Sequence, residues 1–134
     1  MTIEWSDDLN TGITAIDEQH RRLFVTINKL DDCLNSRDVF NEVLIDLQNY
    51  VSVHFETEEE YMRYTNYPDY ESHKGCHDKF VKEYKNIFKN TSAVERIMDL
   101  GPELIEYIEQ WLLDHYTNED VKMAKHLRQC GVNN

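Results

Sequence analysis

Five of the six histidines lie on the apolar faces of predicted helices, and this placement constrains the fold more than any other feature of the sequence. His20 precedes Leu23 and Phe24 by three and four residues, the spacing that puts side chains on one face of a helix. The other four histidines hold the same relation to apolar residues in three further stretches: His54, His73, His77 and His115. Each of four predicted helices therefore directs at least one imidazole towards the core.

The first two of these helices have recognisable ends. The first helix is predicted to begin with Asp17 as its N-cap and to end before Asn35. The second begins near Asp38 and extends past Met62 to a turn at Pro68. Short connections between successive helices place them antiparallel, so the sequence predicts an all-α, up-down-up-down four-helix bundle.

The other two helices are separated by a less regular segment. The third helix opens after Asp69 and its apolar face includes Phe88. Ser92 and Glu95 then fit a capping box around a short helical turn. Pro102 follows and suits the first turn of the fourth helix.

Two shorter pieces flank the predicted bundle. An N-terminal arm that contains Trp5 shows no helical period. A short C-terminal helix has an apolar face formed by Val121, Ala124 and Leu127. The sequence contains no internal repeat and no linker, so we expect one domain over residues 1–134.

The charge balance excludes several classes of partner. The chain has 26 acidic and 14 basic residues and a formal net charge of −12. A nucleic-acid binder needs a basic face, and an anionic membrane surface attracts basic segments, so we expect neither partner. No apolar stretch approaches the roughly 20 residues of a membrane span. The strong acidic charge also discourages self-association without forbidding it.

Cysteine usage indicates a reducing compartment. The three cysteines, Cys33, Cys76 and Cys130, are odd in number and far apart in the sequence. A disulfide framework in a short secreted chain would need an even set. The N-terminus also lacks the basic and apolar regions of a signal peptide. We therefore expect unpaired thiols and a cytoplasmic protein.

The inward histidines need partners for their ring nitrogens. A buried polar group without a partner costs about 1–3 kcal/mol, and a bound metal would satisfy all five imidazoles at once. Two carboxylates are predicted on the same faces. Glu58 lies four residues after His54, and Asp120 lies five residues after His115. For His115 and Asp120 both to face the core, the five-residue step requires either a break in the helix or a wider helical turn, near Thr117. The glutamates around Glu58 are expected to form a solvated edge: Glu56, Glu59 and Glu60.

The number of candidate ligands favours two metal ions. Five imidazoles and two carboxylates exceed the four ligands of a tetrahedral zinc. The histidines would divide into a set of three and a set of two: His73, His77 and His115 for one ion, and His20 and His54 for the other. Glu58, Asp120 and one oxo or hydroxo group would bridge the pair, which leaves one open position on the second ion. This mixture of nitrogen and oxygen ligands favours a borderline first-row metal, and iron above all if the site handles oxygen.

The ligand motifs resemble those of the hemerythrin family, and in particular those of the bacterial single-domain hemerythrins. The resemblance covers the chain from Trp5 to about Leu127. Its motifs are Asp17-Glu18-Gln19-His20, His54-Phe55-xx-Glu58-Glu59, His73-xxx-His77 and Trp111-Leu112-xx-His115-xxxx-Asp120. All seven predicted ligands occupy family positions in order. The stand-alone bacterial members tend to be monomeric, so the resemblance also implies a monomer.

The resemblance implies a non-haem di-iron centre that binds O2 reversibly, without catalysis, for oxygen storage, delivery or scavenging. O2 would bind at the ion held by His20 and His54. The expected pocket residues are Leu23, Phe24, Trp111 and Leu112. Tyr116 departs from the family, which commonly has an aliphatic residue there, and it either enters the pocket or faces another helix or solvent. His126 matches no ligand position and is expected at the surface.

Other functions fit the sequence less well. A ferritin-like di-iron oxidase needs two Glu-xx-His elements on different helices, and these are missing at the predicted ligands. The HExxH pattern of zinc hydrolases is also missing. Sensing of O2 or redox state stays open as an alternative, and so does the handling of nitric oxide or iron.

Overall fold

Four long helices make up most of the chain. The computed structural model describes residues 4–90 and 101–134, and the side chains of these residues except 87–90. The long helices are α1 (Thr14–Asp32), α2 (Arg37–Tyr64), α3 (Tyr70–Asn90) and α4 (Gly101–His115). A π-helical turn, Tyr116–Asp120, joins α4 to the short α5, Val121–Gln129. The all-α four-helix bundle predicted from the sequence is confirmed. The side chain of Phe88 and the proposed capping box at Ser92 and Glu95 lie outside the described residues.

The helices pack as a closed ring around one core. Helix α1 packs against α2 and α4, and α2 also packs against α3. Contact between α3 and α4 includes stacking of Phe80 on Trp111, whose ring centroids are 4.2 Å apart. The interior is lined by buried aliphatic and aromatic side chains from all four helices. The five histidines of interest interrupt this apolar core near one end.

Helix α1 begins three residues before the predicted N-cap. Gly12 has a positive φ of 83°, and the turn that it makes allows the helix to start at Thr14. The carboxylate of Asp17 then lies within the first turn and accepts hydrogen bonds from the backbone nitrogens of Thr11 and Gly12, at 2.7 and 3.2 Å. The prediction of Asp17 as N-cap is therefore wrong, because Asp17 fastens the N-terminal arm instead.

A second apolar cluster joins α2 to α5 at the end of the bundle that carries the histidines. It consists of Ile13, Ile16, Met62, Tyr67, Met123, Ala124 and Leu127. Two residues after the end of α2, Asn66 adopts a left-handed backbone conformation, with φ of 53°. The backbone nitrogen of Tyr67 donates back to the carbonyl of Met62 at 2.9 Å, as in a Schellman motif. Both side chains are buried in this cluster. The turn thereby closes the end of the bundle next to the histidines.

Two expectations for α5 need correction. Val121 is 42% exposed, and the apolar face of the helix is formed by Met123, Ala124 and Leu127 instead. His126 is not a free surface residue: it is half-buried, and its Nε2 lies 3.0 Å from the carbonyl oxygen of Thr65. His126 therefore ties α5 to the end of α2, a contact between segments far apart in the sequence.

Two further features concern the cysteines and the hydropathy of the helices. Cys33, Cys76 and Cys130 are unpaired. Among the described residues, no helix combines the length and the apolar character that a membrane crossing requires.

Candidate metal centre

The bundle brings all seven predicted ligands together at one buried site. One group comprises Glu58, His73, His77, His115 and Asp120, and the second comprises His20, His54, Glu58 and Asp120. Within each group the ligand atoms lie within 4.8 Å of one another. None of the seven residues is more than 4% exposed. Glu58 and Asp120 belong to both groups.

The three-histidine group is formed by α3 and α4. The i, i+4 spacing of His73 and His77 places both imidazoles on the inner face of α3, opposite His115 at the end of α4. The Nε2 atom of His115 lies 3.0 Å from that of His77 and 3.1 Å from that of His73. Three ring nitrogens therefore converge on one small volume.

The two-histidine group is formed by α1 and α2. The Nε2 atoms of His20 and His54 lie 3.0 Å apart. Glu58, one helical turn after His54, follows on the same face of α2. This group has one imidazole fewer than its neighbour, although it shares the same two carboxylates.

Each shared carboxylate directs one oxygen towards each group. Asp120 Oδ1 lies 3.1 Å from Nε2 of His73, and Oδ2 lies 3.1 Å from Nε2 of His20. Glu58 Oε1 lies 3.1 Å from Nε2 of His77, and Oε2 lies 3.3 Å from Nε2 of His54. A carboxylate that bridges two metal ions presents its oxygens in this way.

The π-helical turn places Asp120 in the site. His115 is the last residue of α4, and the wider turn over Tyr116–Asp120 inserts one residue more than an α-helical turn would hold. Asp120 Oδ1 consequently lies 3.1 Å from Nε2 of His115, five residues earlier. Of the two alternatives expected near Thr117, a break or a wider turn, the structure contains the wider turn.

The donor atoms have the spacing that metal coordination requires. Ligands about 2.1 Å from one ion and at right angles to each other lie about 3.0 Å apart. The imidazole nitrogens of both groups meet this spacing, at 3.0–3.1 Å. Among the described residues, the oxygens of Glu58 and Asp120 contact ring nitrogens of the clustered histidines and have no other polar partner. Buried carboxylates surrounded only by imidazoles fit a pair of cations.

The electrostatics of the site also favour cations. Burial lowers the pKa of His115, but the carboxylates of Asp120 and Glu58 outweigh burial and raise this pKa to about 10. The same carboxylates overcome burial at His20 and His73 and raise both pKa values to about 9. Burial opposes ionisation of Glu58, yet the surrounding histidines hold its pKa well below the usual range. Metal ions would replace the protons that these carboxylates attract.

Comparison with known proteins agrees with this donor set. Residues 11–127 match the family model described as the hemerythrin HHE cation binding domain. The chain belongs to the hemerythrin family. The match spans all seven clustered residues.

Relatives of this hemerythrin domain occur in bacteria and in eukaryotes. It is 36% identical over 118 residues to a bacteriohemerythrin of Pseudomonas aeruginosa. This alignment covers 87% of the chain and 75% of the relative. It is 32% identical over 118 residues to a hemerythrin-like protein of Naegleria gruberi, with 88% and 87% covered. A crystal structure of wild-type hemerythrin superposes with a TM-score of 0.81 at 25% identity and covers 95% of this chain and 98% of that one.

A chain of hydrogen bonds orients His54 in this hemerythrin domain. The backbone carbonyl of Val53 can only accept, so the Thr57 hydroxyl donates to it at 2.9 Å. Thr57 Oγ1 then accepts from Nε2 of Gln19 at 3.2 Å. The remaining amide oxygen of Gln19 accepts from Nδ1 of His54 at 2.7 Å. Nδ1 therefore carries the ring proton, and Nε2 presents its lone pair to the site.

Glu59 contacts the far ring nitrogen of His77, as Gln19 does for His54. This contact shows that the sequence prediction for Glu59 is wrong. One carboxylate oxygen of Glu59 lies 3.0 Å from Nδ1 of His77, and its side chain is only 14% exposed. Glu59 is therefore not part of a solvated edge, whereas Glu56 and Glu60 are exposed as expected. The spacing within α2 gave no sign of this contact, because it depends on how α2 and α3 are rotated against each other.

The predicted pocket residues divide between the two sides of the centre. Tyr116 is 1% exposed and stacks on His20, with ring centroids 3.7 Å apart. Phe24 packs near Tyr116, at 5.9 Å between centroids. Trp111 instead stacks on His115 at 4.6 Å, on the three-histidine side.

The two leucines predicted for the pocket are both fully buried. Leu23 follows His20 by one turn of α1, and Leu112 precedes His115 by one turn of α4. Side chains one helical turn apart share a face, so both leucines lie on the inward faces that carry these histidines.

Proposed function

We propose that the domain binds O2 reversibly at two iron ions held by the seven clustered residues. The observation that carries this proposal is the division of the carboxylate oxygens. Glu58 directs Oε1 to the three histidines of one group and Oε2 to the two histidines of the other. Asp120 divides its oxygens in the same sense, with Oδ1 at His73 and His115 and Oδ2 at His20. Two positions of unequal ligand number favour one saturated ion and one ion with an open coordination position.

In the proposed assignment the first ion takes the three-histidine group: His73, His77 and His115. The second takes His20 and His54, and Glu58 and Asp120 serve both. When bound, a pair of ferrous ions supplies the electrons and the open position that reversible O2 binding requires. The chain itself keeps Nε2 of each histidine directed at the centre and keeps bulk water out.

The surroundings of the two-histidine position suit a small apolar ligand. Phe24 and Trp5 pack edge to face, at 5.3 Å between centroids, beside His20. Leu23 and Leu112 are fully buried. We assign these apolar side chains, with Tyr116 over His20 and Trp111 on the three-histidine side, to the lining of the O2 pocket. Such a lining excludes water and gives few routes for protons.

Further parts of the proposal follow from composition and family. The role would be oxygen storage, delivery or scavenging by a monomer in the cytoplasm, without catalysis. The net charge of −12 supports a soluble chain with little tendency to self-associate. The unpaired state of all three cysteines supports a reducing compartment.

Sensing of O2 or redox state is a second candidate, and one observation favours it. The hydroxyl of Tyr116 is buried with no hydrogen-bond partner among the described residues. A protic group beside the two-histidine position could assist irreversible oxidation of the centre, which would suit a sensor better than a carrier.

The experiment that tests the proposal is anaerobic optical spectroscopy of the iron-loaded, reduced protein. We expect a visible absorption band that forms when O2 is admitted, disappears when O2 is removed, and returns through several cycles. A single irreversible change to the oxidised spectrum would contradict reversible binding and would favour the sensing role.

A further inference from the structure

Two side chains outside the ligand set contact the far nitrogens of the histidines, and they differ in charge. A carboxylate oxygen of Glu59 lies 3.0 Å from Nδ1 of His77, in the three-histidine group. The amide oxygen of Gln19 lies 2.7 Å from Nδ1 of His54, in the two-histidine group. By contrast, Nδ1 of His20 and Nδ1 of His73 are buried and have no partner among the described residues.

The two contacts have different effects on the imidazoles. Both acceptors fix the ring orientation and keep the proton on Nδ1, so that Nε2 is free to bind a cation. A carboxylate also draws this proton towards itself, which increases electron density on the ring and strengthens Nε2 as a donor. The neutral amide of Gln19 orients His54 without this added negative charge.

The location of Glu59 allows its charge to act on the site. Its side chain is 14% exposed and that of His77 is 1% exposed, so solvent screens the pair weakly. Glu56, three residues earlier on α2, is exposed and has no such contact among the described residues. The two glutamates thus carry the same formal charge on one helix in different surroundings.

We infer that Glu59 and Gln19 make the two metal positions chemically unequal, an inference that rests on the proposed metal centre. Glu59 is a positioning residue that increases the cation affinity of the three-histidine position and stabilises the higher oxidation state there. Gln19 orients His54 without added charge, so the two-histidine position stays the more easily reduced. The position with the open site is then the one that favours the ferrous state.

The first test measures metal affinity without iron or O2. Metal-free protein is titrated with Co2+ in competition with a chelator of known affinity, and bound cobalt is followed by its visible absorption. Glu59→Gln keeps an acceptor for His77 but removes the charge, and we expect its cobalt affinity to fall about tenfold. Glu59→Ala removes both, and its affinity should fall further, towards about 100-fold. The control, Glu56→Gln, loses the same charge and should bind like the wild type.

The second test measures the reduction potential of the iron-loaded proteins. We expect Glu59→Gln to raise the potential of the centre and Glu56→Gln to leave it unchanged. A purely orienting role for Glu59 would give Glu59→Gln the affinity and potential of the wild type, and that result would overturn the inference.

The titration also separates this inference from the proposed function. Wild-type protein that binds two Co2+ ions, with Glu59→Gln indistinguishable from Glu56→Gln, contradicts the role of Glu59 alone. Wild-type protein that binds no Co2+ contradicts the metal centre and the inference together. Failure of the iron-loaded protein to bind O2, with the expected order of cobalt affinities, contradicts only the proposed function.

Discussion

The phenol ring of Tyr116 stacks on the imidazole of His20, with ring centroids 3.7 Å apart and planes inclined by 19°. Tyr116 is the first residue of the π-helical turn, directly after His115. Burial, reinforced by the charges of Asp120 and Glu58, raises the pKa of Tyr116 well above its usual value, so the phenol keeps its proton. The ring that carries this hydroxyl lies against His20 of the proposed two-histidine position, and the hydroxyl has no hydrogen-bond partner among the described residues.

Tyr116→Phe should stabilise the metal-free protein and weaken ligand binding by the iron-loaded protein. Removal of a buried hydroxyl that lacks a partner should raise the free energy of unfolding by about 1 kcal/mol. Loss of a potential donor should lower the affinity of the oxidised iron protein for azide about fivefold, the effect of one hydrogen bond of about 1 kcal/mol. Chemical denaturation and an optical azide titration check these expectations.

Tyr84→Phe is the matched control. The Tyr84 hydroxyl donates to the backbone carbonyl of Leu44 at 3.2 Å, so its removal should lower the free energy of unfolding by about 1 kcal/mol. Equal destabilisation by the two substitutions would show that the Tyr116 hydroxyl has a partner after all.

Asp120→Asn should prevent the binding of a metal pair. The substitution keeps the shape of the side chain but removes the charge shared by His20, His73 and His115. We expect fewer than two metal ions per chain by elemental analysis. Asp114→Asn, an exposed position of α4, should retain the metal content of the wild type. Two bound ions in Asp120→Asn would contradict a bridging role.

Removal of metal should destabilise the fold. The seven clustered residues are all ionisable and buried, and ions that bind only the folded state stabilise it by mass action. The expected difference is about 4 kcal/mol when free metal exceeds its Kd a thousandfold. Thermal unfolding with and without a chelator should give a lower Tm for the stripped protein, restored when metal is added back. Identical transitions would argue against a metal centre in the core.

Two glycines should respond in opposite directions to alanine. Gly75 lies in α3, and a Cβ added there would meet no atom of the described residues within 4 Å. Gly75→Ala should therefore raise the free energy of unfolding by about 0.5–1 kcal/mol. Gly12 has φ of 83°, and a Cβ there would lie 3.1 Å from the Arg128 side chain, so Gly12→Ala should be destabilising. Denaturant unfolding of both variants checks the turn that starts α1.

The sequence predicted which seven side chains meet at the site because their spacing follows from the geometry of individual helices. His73 and His77 share a face at i, i+4 whatever the neighbouring helices do. The same logic predicted a break or a wider turn between His115 and Asp120 from their five-residue spacing. These features follow from the geometry of a single helix, which the sequence specifies directly.

The parts that the sequence did not predict depend on how segments meet. Glu59 contacts His77 because of the relative rotation of α2 and α3, and His126 contacts Thr65 because α5 folds back onto the end of α2. The prediction of Asp17 as an N-cap is wrong because the positive φ of Gly12 moves the helix start to Thr14. Neither helical period nor residue type encodes these arrangements.

The most direct test of the central claim is an anomalous diffraction measurement at the iron edge on crystals of the iron-loaded protein. The account predicts two peaks per chain, one within the group of His73, His77 and His115 and one beside His20 and His54, with Glu58 and Asp120 between them. A single peak, no peak, or iron bound away from these residues would contradict it.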